Sequence, residues 1–330
     1  MAGENLLEIE DLSIGIKRGG RQVRIAEDVN LTVGVGERVG LVGESGAGKS
    51  MVLRAIAGLL PRGVEVLSGA IRYDGKNLLD LRPSQRLRLM GPEIAMVFQE
   101  PMTALNPLMR VGEQIAEASI RYKGMSRRAA LARAVELMSY VGIPDPKTRA
   151  TAFPHELSGG LRQRVMIAMA ISLKPRLLLC DEPTTALDVT VQHQVLRLLE
   201  EMCDEVGAAL LFVTHDLAVI NQTCRRLAVM YAGHVIETGT TEQVLHDPRH
   251  PYTRGLLESA PDFDRPERLL AAIPGSAPNL ADRQPGCAFA PRCRDAVESC
   301  FAGEPTLHAT IDGRQTACFR ADELFQKVNA

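Results

Sequence analysis

The stretch at residues 43–50 constrains the fold of this chain more than any other feature. It fits the pattern G-x-x-x-x-G-K-[ST] with Gly43, Glu44, Ser45, Gly46, Ala47, Gly48, Lys49 and Ser50. An apolar run at 38–42 precedes it, and apolar residues at helical spacing follow it until Pro61. Strand, glycine-rich loop and helix form an anion site, because backbone N–H groups and the helix N-terminus point at the phosphate. We therefore predict a nucleoside triphosphate site; the alternative is a glycine turn in an α/β domain.

The chemistry of such a site depends on a few side chains. Lys49 can reach the β- and γ-phosphates, and the hydroxyl of Ser50 can hold Mg²⁺. Farther along the chain, an apolar run at 177–180 leads directly into Asp181 and Glu182. At a strand tip, Asp181 can bind Mg²⁺ and Glu182 can polarise the attacking water. An acidic strand-to-helix turn is the alternative for this pair, and the phosphate loop (residues 43–50) favours hydrolysis.

The remaining pattern predicts an α/β domain with two additions. Short alternating runs between residues 6 and 33 indicate an antiparallel strand group before the phosphate loop. A mostly apolar run at 93–98 delivers Gln99, and helical spacing dominates from residue 102 to about 151. Strands follow at 177–180 and 208–213, with a hairpin across Ala232-Gly233. We place a boundary near residue 262, before a proline-rich tail.

Composition excludes several classes of protein. The chain has 330 residues, a net charge of −2 and 24% charged residues. A broad nucleic-acid footprint needs a strongly basic face, so no nucleic-acid partner is expected. No stretch offers the ~18 uninterrupted apolar residues of a membrane span, and residues 1–10 do not resemble a signal peptide. These observations predict a protein that stays on the cytoplasmic side.

A second helix N-terminus is typical of an anion site. Ser158 is a candidate N-cap, and Gly159 and Gly160 let an anion approach the backbone. One active site already has its phosphate loop, so this second site has no use within it. Its presence is explained if it serves the nucleotide of another subunit.

At this point the sequence resembles a family, the ATPase subunits of ABC transporters. The resemblance covers residues 6 to 260 and rests on motifs in a fixed order: the phosphate loop, Gln99, Leu157-Ser158-Gly159-Gly160, Cys180-Asp181-Glu182-Pro183, Ala186-Leu187-Asp188 and His215. Finer matches at 98–107, 181–190 and 250–253 look like the dipeptide, oligopeptide and nickel importer branch. The implied fold is an α/β P-loop NTPase (RecA-like) cassette at 1–262, with an antiparallel β subdomain, a helical subdomain at about 102–172 and a cysteine-bearing extension at 263–330.

The resemblance also implies roles for individual residues. Two cassettes would close head to tail over two ATP molecules, each lying between one phosphate loop and the other subunit's Ser158-Gly159-Gly160. Glu182 would be the general base, His215 a γ-phosphate contact, and Gln99 a Mg²⁺ and water sensor. Asp188 would couple the two sites. A groove beside Gln99 would receive a permease helix, so that closure and reopening drive alternating access.

The implied partners follow from the same resemblance. They are two transmembrane permease subunits, a second ABC ATPase that is usually a paralogue and, indirectly, an extracytoplasmic solute-binding protein. The implied location is the cytoplasmic face of the inner membrane, as a peripheral subunit. The favoured function is ATP-driven import of di- or oligopeptides. Alternatives are an importer of nickel or another small solute, a regulatory ATPase with degenerate hydrolysis, and a soluble ABC ATPase acting on ribosomes or nucleic acid.

Seven cysteines in a cytosolic chain are not expected to form a disulfide framework. Cys180, Cys203 and Cys224 stand singly and are expected to be buried. The other four lie near the C-terminus: Cys287, Cys293, Cys300 and Cys318. Four thiolates can hold a [4Fe–4S] cluster or zinc, but the spacing matches neither ferredoxin nor paired zinc knuckles, so free thiols remain an alternative. The resemblance favours the cluster, since some members of the importer branch carry one.

One departure from the family concerns adenine. The position where the family usually stacks an aromatic ring on the base corresponds to Val23, and no aromatic residue precedes Tyr73. Base stacking contributes about 1–3 kcal/mol in comparable sites. We therefore expect weaker affinity or weaker base selectivity at this end of the nucleotide.

Overall fold

A computed structural model gives the fold for residues 5–18, 21–185, 188–259, 272–280, 284–310 and 312–325. Two compact units divide the chain. The first comprises residues 1–6, 33–37 and 80–211, and the second comprises 7–32, 38–79 and 212–330. In the described ranges no helix is long and apolar enough to cross a bilayer. The predicted boundary at residue 262 falls outside these ranges, as do Ala186 and Leu187 of the predicted motif.

Most of the second unit's N-terminal part is an antiparallel sheet, as the alternating pattern predicts. Its strands are β1 (Asn5–Arg18), β2 (Arg21–Gly34), β4 (Val64–Tyr73) and β5 (Lys76–Asn77), in the order β2-β1-β4-β5. Leu7 of β1 pairs with Tyr73 of β4, and both side chains are buried. Period-2 alternation places such residues on one face, where they exclude water.

A second sheet of this unit carries the phosphate loop. Its strands are β3 (Arg38–Val42), the end of β8 (Ala209–Thr214), β9 (Arg226–Tyr231), β10 (His234–Thr240), β11 (His308–Ala309) and β12 (Gln315–Thr316). Their order is β11-β12-β10-β9-β3-β8, with β3 parallel to β9. The unit's helices are α1 (Lys49–Ala57), α9 (Leu217–Thr223), α10 (Thr241–His246), α11 (Pro251–Ser259), α12 (Ser299–Ala302) and α13 (Ala321–Phe325). The C-terminal tail thus contributes strands to the sheet, which the sequence did not predict.

The helix after the phosphate loop ends earlier than its apolar pattern predicts. Helix α1 stops at Ala57, and Gly58 caps it in the left-handed conformation with φ +74°. Its N–H donates back to the carbonyl of Ala55. Glycine adopts this conformation without a Cβ penalty, so it terminates the helix before Pro61 does. The prediction of a helical run as far as Pro61 was therefore wrong by one turn.

The predicted hairpin is confirmed between β9 and β10. His234 pairs with Tyr231, and the two intervening residues, Ala232 and Gly233, have φ of +47° and +92°. Two left-handed residues match the twist of the flanking strands in a tight hairpin. The turn also bonds outward: the N–H of Gly233 donates to the carbonyl of Ala47 at 3.1 Å.

The first unit pairs a short parallel strand set with helices. Strands β6 (Ile94–Val97) and β7 (Leu177–Asp181) are parallel neighbours, and β7 adjoins the start of β8. The helices are α2 (Pro83–Leu89), α3 (Pro101–Ala104), α4 (Val111–Lys123), α5 (Arg127–Tyr140), α6 (Pro146–Arg149), α7 (Gly159–Ile171) and α8 (Val189–Val206). Helices α3 to α6 occupy the stretch from 102 to about 151 for which helical spacing was predicted, and α7 begins after the candidate N-cap Ser158. Their apolar faces pack together, with Ile115, Ala134 and Ile167 buried.

Candidate functional site

Glycines shape the backbone of the phosphate loop in the second unit. A Cβ on Gly43 would lie 2.0 Å from the carbonyl oxygen of Met230, and one on Gly48 would lie 2.8 Å from that of Ile25. At Gly46 a Cβ would meet nothing within 4 Å, but φ is +83°. Close packing excludes side chains at the first two positions, and the left-handed conformation favours glycine at the third. Gly43 therefore lets the loop pack closely on β9, and Gly48 lets it pack closely on β2.

Lys49 lies inside the loop that it serves. Its side chain is 4% exposed, and its Nζ donates to the carbonyls of Gly43 and Glu44 at 2.7 and 2.9 Å. A buried ammonium needs such acceptors, because desolvation without them is costly. Ser50 follows in the first turn of α1. The sequence-predicted residues at 43–50 are thus together, at the end of β3 and the N-terminus of a helix.

His215 belongs to the same unit. It follows the last residue of β8 and is exposed. The next residue, Asp216, caps α9 by accepting the N–H groups of Ala218 and Val219. Its own N–H donates to the hydroxyl of Thr214 at 3.0 Å. These bonds fix the backbone on both sides of His215 at a strand end.

In the first unit, the ends of β6 and β7 bring the predicted catalytic groups together. Asp181 is the last residue of β7 and is 1% exposed. Gln99 lies two residues beyond β6, and its Nε2 donates to Oε2 of Glu182 at 3.2 Å. Thr185 donates its hydroxyl to the same oxygen at 2.9 Å. The carboxyl ends of parallel neighbours meet at one edge of a sheet, which explains this cluster.

Glu182 has an unusual backbone. Its φ is +45°, in the left-handed region that residues other than glycine rarely adopt. Such a conformation costs about 1–3 kcal/mol and is concentrated at functional sites. Two side-chain donors, from Gln99 and Thr185, hold its carboxylate. Sequence reasoning missed Thr185, which stands in the quoted 181–190 match but has no separate signal.

The predicted trans-acting residues also lie together in the first unit. Ser158 caps α7 by accepting the N–H of Leu161 at 3.4 Å, as predicted from its position. A Cβ on Gly160 would lie 2.9 Å from the side chain of Val191 in α8. Asp188 caps α8 by accepting the N–H of Val191 at 3.0 Å. The N-termini of α7 and α8 are therefore neighbours, with Ser158, Gly159 and Asp188 exposed.

The structure describes Val23, which stands where the family usually stacks an aromatic ring on adenine, and Tyr73. Val23 is half-buried in β2, and Tyr73, the first aromatic residue of the chain, is buried in β4. Neither position presents an exposed ring. Weak stacking on adenine therefore stays a prediction.

The seven cysteines fall into the two predicted groups. Cys180, Cys203 and Cys224 are buried, as expected, and none of the seven forms a disulfide. The other four line one small cavity of about 20 Å³ in the second unit, which also touches Phe289. Burial, together with charge on Cys287, Cys293 and Cys300, raises the pKa of the Cys318 thiol to about 12. Burial likewise raises the pKa of Cys287 and Cys293.

These thiols have the right chemistry for a metal but not a closed arrangement. The described residues include no group of three or more His, Cys, Asp or Glu placed to hold a metal ion. Metal binding requires deprotonated thiols, and the raised pKa values favour the protonated form. The four thiols therefore match the ligands of an iron–sulfur cluster or of zinc in kind, but in the described residues they do not lie close enough together to hold either.

Comparison with known proteins places the chain in a family. The model described as ABC transporter matches residues 26–185, and the model described as oligopeptide/dipeptide transporter, C-terminal region, matches residues 236–300. The chain is 44% identical over 313 residues to the dipeptide transport ATP-binding protein DppD of Escherichia coli (strain K12), covering 95% of this chain and 96% of that protein. The chain belongs to the ABC ATPases, in the oligopeptide and dipeptide transporter branch.

Further relatives and solved structures agree with this family. The oligopeptide transport ATP-binding protein OppD of Bacillus subtilis (strain 168) is 46% identical, over 93% of this chain and 86% of that protein. The ATP-binding cassette MJ0796, solved as a dimer in a post-hydrolysis state bound to ADP and Pi, superposes with a TM-score of 0.65 at 28% identity. That match covers 71% of this chain and 98% of MJ0796. The ABC cassette fold predicted from the motifs is confirmed, and ATP is the nucleotide that such a cassette binds.

Proposed function

We propose that this chain is the ATP-hydrolysing motor subunit of a peptide importer. The observation that supports this proposal is the pair of family matches, since the cassette is followed by the C-terminal region of oligopeptide and dipeptide transporters. Relatives at 44–46% identity carry names of dipeptide and oligopeptide transport ATP-binding proteins. The transported substrate is accordingly a di- or oligopeptide, selected by other subunits.

The proposed roles follow the chemistry of each side chain. The phosphate loop binds the triphosphate, and Ser50, Gln99 and Asp181 are the groups that would hold Mg²⁺ through oxygen atoms. Glu182 takes the proton of the attacking water. Gln99 and Thr185 orient its carboxylate by donating hydrogen bonds to it. His215 contacts the γ-phosphate. Phosphoryl transfer needs mainly positioning and charge stabilisation, and these are the roles proposed for the side chains above.

A second cassette completes the proposed enzyme. Ser158, Gly159, Gly160 and Asp188 form one group at two helix N-termini in the first unit, and Ser158, Gly159 and Asp188 are exposed. Helix N-termini attract anions, so this group suits the nucleotide bound by a partner. The dimeric arrangement reported for MJ0796 supports the same assembly. The partner cassette is a paralogue or a second copy, and both engage two transmembrane permease subunits on the cytoplasmic face of the membrane.

Peptide uptake tests this proposal directly. We expect cells that carry only Lys49→Ala to lose ATP-dependent uptake of a labelled dipeptide to background, because the ammonium that binds the phosphates is gone. The exposed Lys147→Ala is the matched control and should transport at the wild-type rate. The chain should also co-purify with permease subunits from detergent-solubilised membranes. Cells with Lys49→Ala that keep dipeptide uptake but lose nickel uptake would contradict the proposal. So would a chain that is recovered bound to ribosomes and without permease subunits.

We further propose that the four C-terminal cysteines hold a [4Fe–4S] cluster. All four line one cavity, which supports this proposal because a cluster needs four thiolates around one site; binding would have to bring the thiols closer together than they lie in this structure. Anaerobically purified protein should contain about four irons per chain and show a broad visible absorbance. Cys300→Ser should lose both, whereas Cys224→Ala, outside the group, should keep them. Iron-free protein with stoichiometric zinc, or with neither metal, would show that the cluster is absent.

A further inference from the structure

One carboxylate of the phosphate loop is paired with a distant arginine. The two terminal nitrogens of Arg292 donate to the two carboxylate oxygens of Glu44, at 2.8 and 3.1 Å. Its remaining bonds go to the hydroxyl of Tyr231 at 3.2 Å and, from Nε, to the carbonyl of Pro274 at 2.8 Å. A bidentate pair of this kind fixes both direction and distance. Glu44 is the second residue of the loop, so the pair lies at the proposed phosphate site.

Burial makes this pair different from a surface ion pair. The side chain of Arg292 is 8% exposed and that of Glu44 is 26% exposed. Burial would lower the pKa of Arg292, but its hydrogen bonds with Glu44 and Tyr231 outweigh that and raise it above the ordinary value. Screening by water and salt is weak at such positions. Each charge therefore depends on the other for its compensation.

A second contact holds the same loop residue. The N–H of Glu44 donates to the hydroxyl of Tyr252 at 2.8 Å, so both its backbone and its side chain are bonded. Tyr252 and Tyr231 pack on Phe289, with ring centroids 5.5 and 5.3 Å away. Phe289 precedes the 3₁₀ turn Ala290–Arg292, and Arg292 is the last residue of that turn. The C-terminal segment is thus anchored at the phosphate loop by rings and by charge together.

Arg292 and Glu44 lie in parts of the chain that match two different family models. Arg292 lies in the part matched by the transporter C-terminal region, at 236–300, and Glu44 lies in the ABC transporter match, at 26–185. Arg292 also directly precedes Cys293, and the carbonyl of Cys300 accepts the N–H of Cys287. The segment that carries the cysteines therefore supplies the counter-charge for a carboxylate in the loop of the cassette.

A carboxylate at this position opposes phosphate binding unless it is neutralised. Like charges in a partly buried site repel strongly, because the effective dielectric constant is low. Removing one partner of a buried pair leaves an uncompensated charge, which is the costly outcome. We propose that Arg292 is a positioning residue for the phosphate loop: it neutralises and orients Glu44, so that the C-terminal segment sets the affinity of the loop for ATP. This inference rests on the proposed role of residues 43–50.

A double-mutant cycle with the full-length chain tests the inference. MgATP affinity is measured calorimetrically for Arg292→Gln, Glu44→Gln and the double variant. Arg292→Gln should weaken binding about tenfold, within the 5–150-fold range of typical coupling between sites. Glu44→Gln alone should shift the affinity in the opposite direction to Arg292→Gln, because the phosphates then face the charge of Arg292 without a carboxylate beside it. The double variant should recover most of the loss, and Arg292→Lys should keep part of the affinity without the bidentate geometry.

A control separates charge compensation from simple docking of the segment. Arg254 on α11 pairs with Asp295, two residues after Cys293, and that pair does not include the loop. Arg254→Gln should therefore lower thermal stability but leave MgATP affinity within about twofold of wild type. An Arg292→Gln protein with wild-type affinity would overturn the inference, as would a double variant as weak as the single. If Arg292→Gln does not fold, Arg292→Lys and the double variant decide between these outcomes.

Lys49→Ala distinguishes failure of this inference from failure of the proposed function. Lost MgATP binding in Lys49→Ala together with wild-type binding in Arg292→Gln would reject the role of Arg292 alone. Wild-type binding in Lys49→Ala would reject the proposed phosphate site and, with it, this inference. Coupling between the phosphate loop and the C-terminal segment acts in both directions. MgATP should therefore slow amide exchange at residues 287–300, and it should do so more in wild type than in Arg292→Gln. Equal protection in both proteins would count against the coupling.

Discussion

Replacing Glu182 with glutamine should reduce ATP turnover by at least about a hundredfold in the assembled transporter while MgATP still binds. General-base catalysis contributes about 10²–10⁴ in rate, and an amide cannot take a proton from water. The replacement keeps the local geometry, because the amide oxygen can still accept the bonds that Gln99 and Thr185 now donate. The loss therefore reports basicity rather than misplacement.

Two measurements decide the outcome for Glu182. Phosphate release at saturating MgATP gives kcat, and size-exclusion chromatography with MgATP shows whether unhydrolysed nucleotide holds two cassettes together. Glu136→Gln is the matched control, because it is an exposed glutamate of the same unit that pairs with Arg133. It should turn over at the wild-type rate. A Glu182→Gln enzyme within about threefold of wild type would exclude Glu182 as the base.

Gly43→Ala should destabilise the protein and remove MgATP binding. The added Cβ would lie 2.0 Å from the carbonyl oxygen of Met230, which is backbone of β9 and cannot rotate away. Overpacking costs about 1–3 kcal/mol, and the positive φ of this residue adds about 1–2 kcal/mol. At roughly 2–4 °C per kcal/mol, the melting temperature should fall by roughly 4–20 °C. Scanning calorimetry measures this fall.

Gly75→Ala provides the matched control for this effect. Gly75 also has a positive φ, of +73°, but a Cβ there would meet nothing within 4 Å. It should therefore show only the backbone cost, about 1–2 kcal/mol, and bind MgATP normally. Equal destabilisation in the two variants would show that the contact with Met230 is not what requires glycine at residue 43.

Local patterns predicted the elements that carry the chemistry, because each has a strong physical signature. The run before the phosphate loop is β3, the run before Asp181 is β7, and Ser158 caps α7. A buried strand that ends in a glycine-rich loop or in acidic residues is compatible with few other local structures. The contact between Gln99 and Glu182 was not predicted, but it agrees with the same reasoning, since the two residues follow the neighbouring parallel strands β6 and β7.

Other features depend on contacts between residues far apart in the chain, which no local pattern contains. Arg292 and Tyr252 reach Glu44 across more than 200 residues of sequence. Tyr252 stands in the match at 250–253, but nothing in that stretch or beside Arg292 indicates the partner. The tail joins the second sheet through two-residue strands, which are too short for periodicity to detect. The end of α1 was missed because Gly58 terminates it before the proline that was read as the stop.

The turns at Ala232-Gly233 and Asp74-Gly75 differ in whether they should tolerate an inserted label. The N–H of Gly233 donates to the carbonyl of Ala47 in the phosphate loop, and its carbonyl accepts the N–H of Glu27. The turn therefore supports the loop, and an insertion there would break these bonds. The turn at Asp74-Gly75 has the same left-handed backbone, yet a side chain on its glycine would meet nothing within 4 Å. Exposed tips of this second kind accept insertions. A fluorescent or affinity tag for following the transporter in cells therefore belongs between β4 and β5.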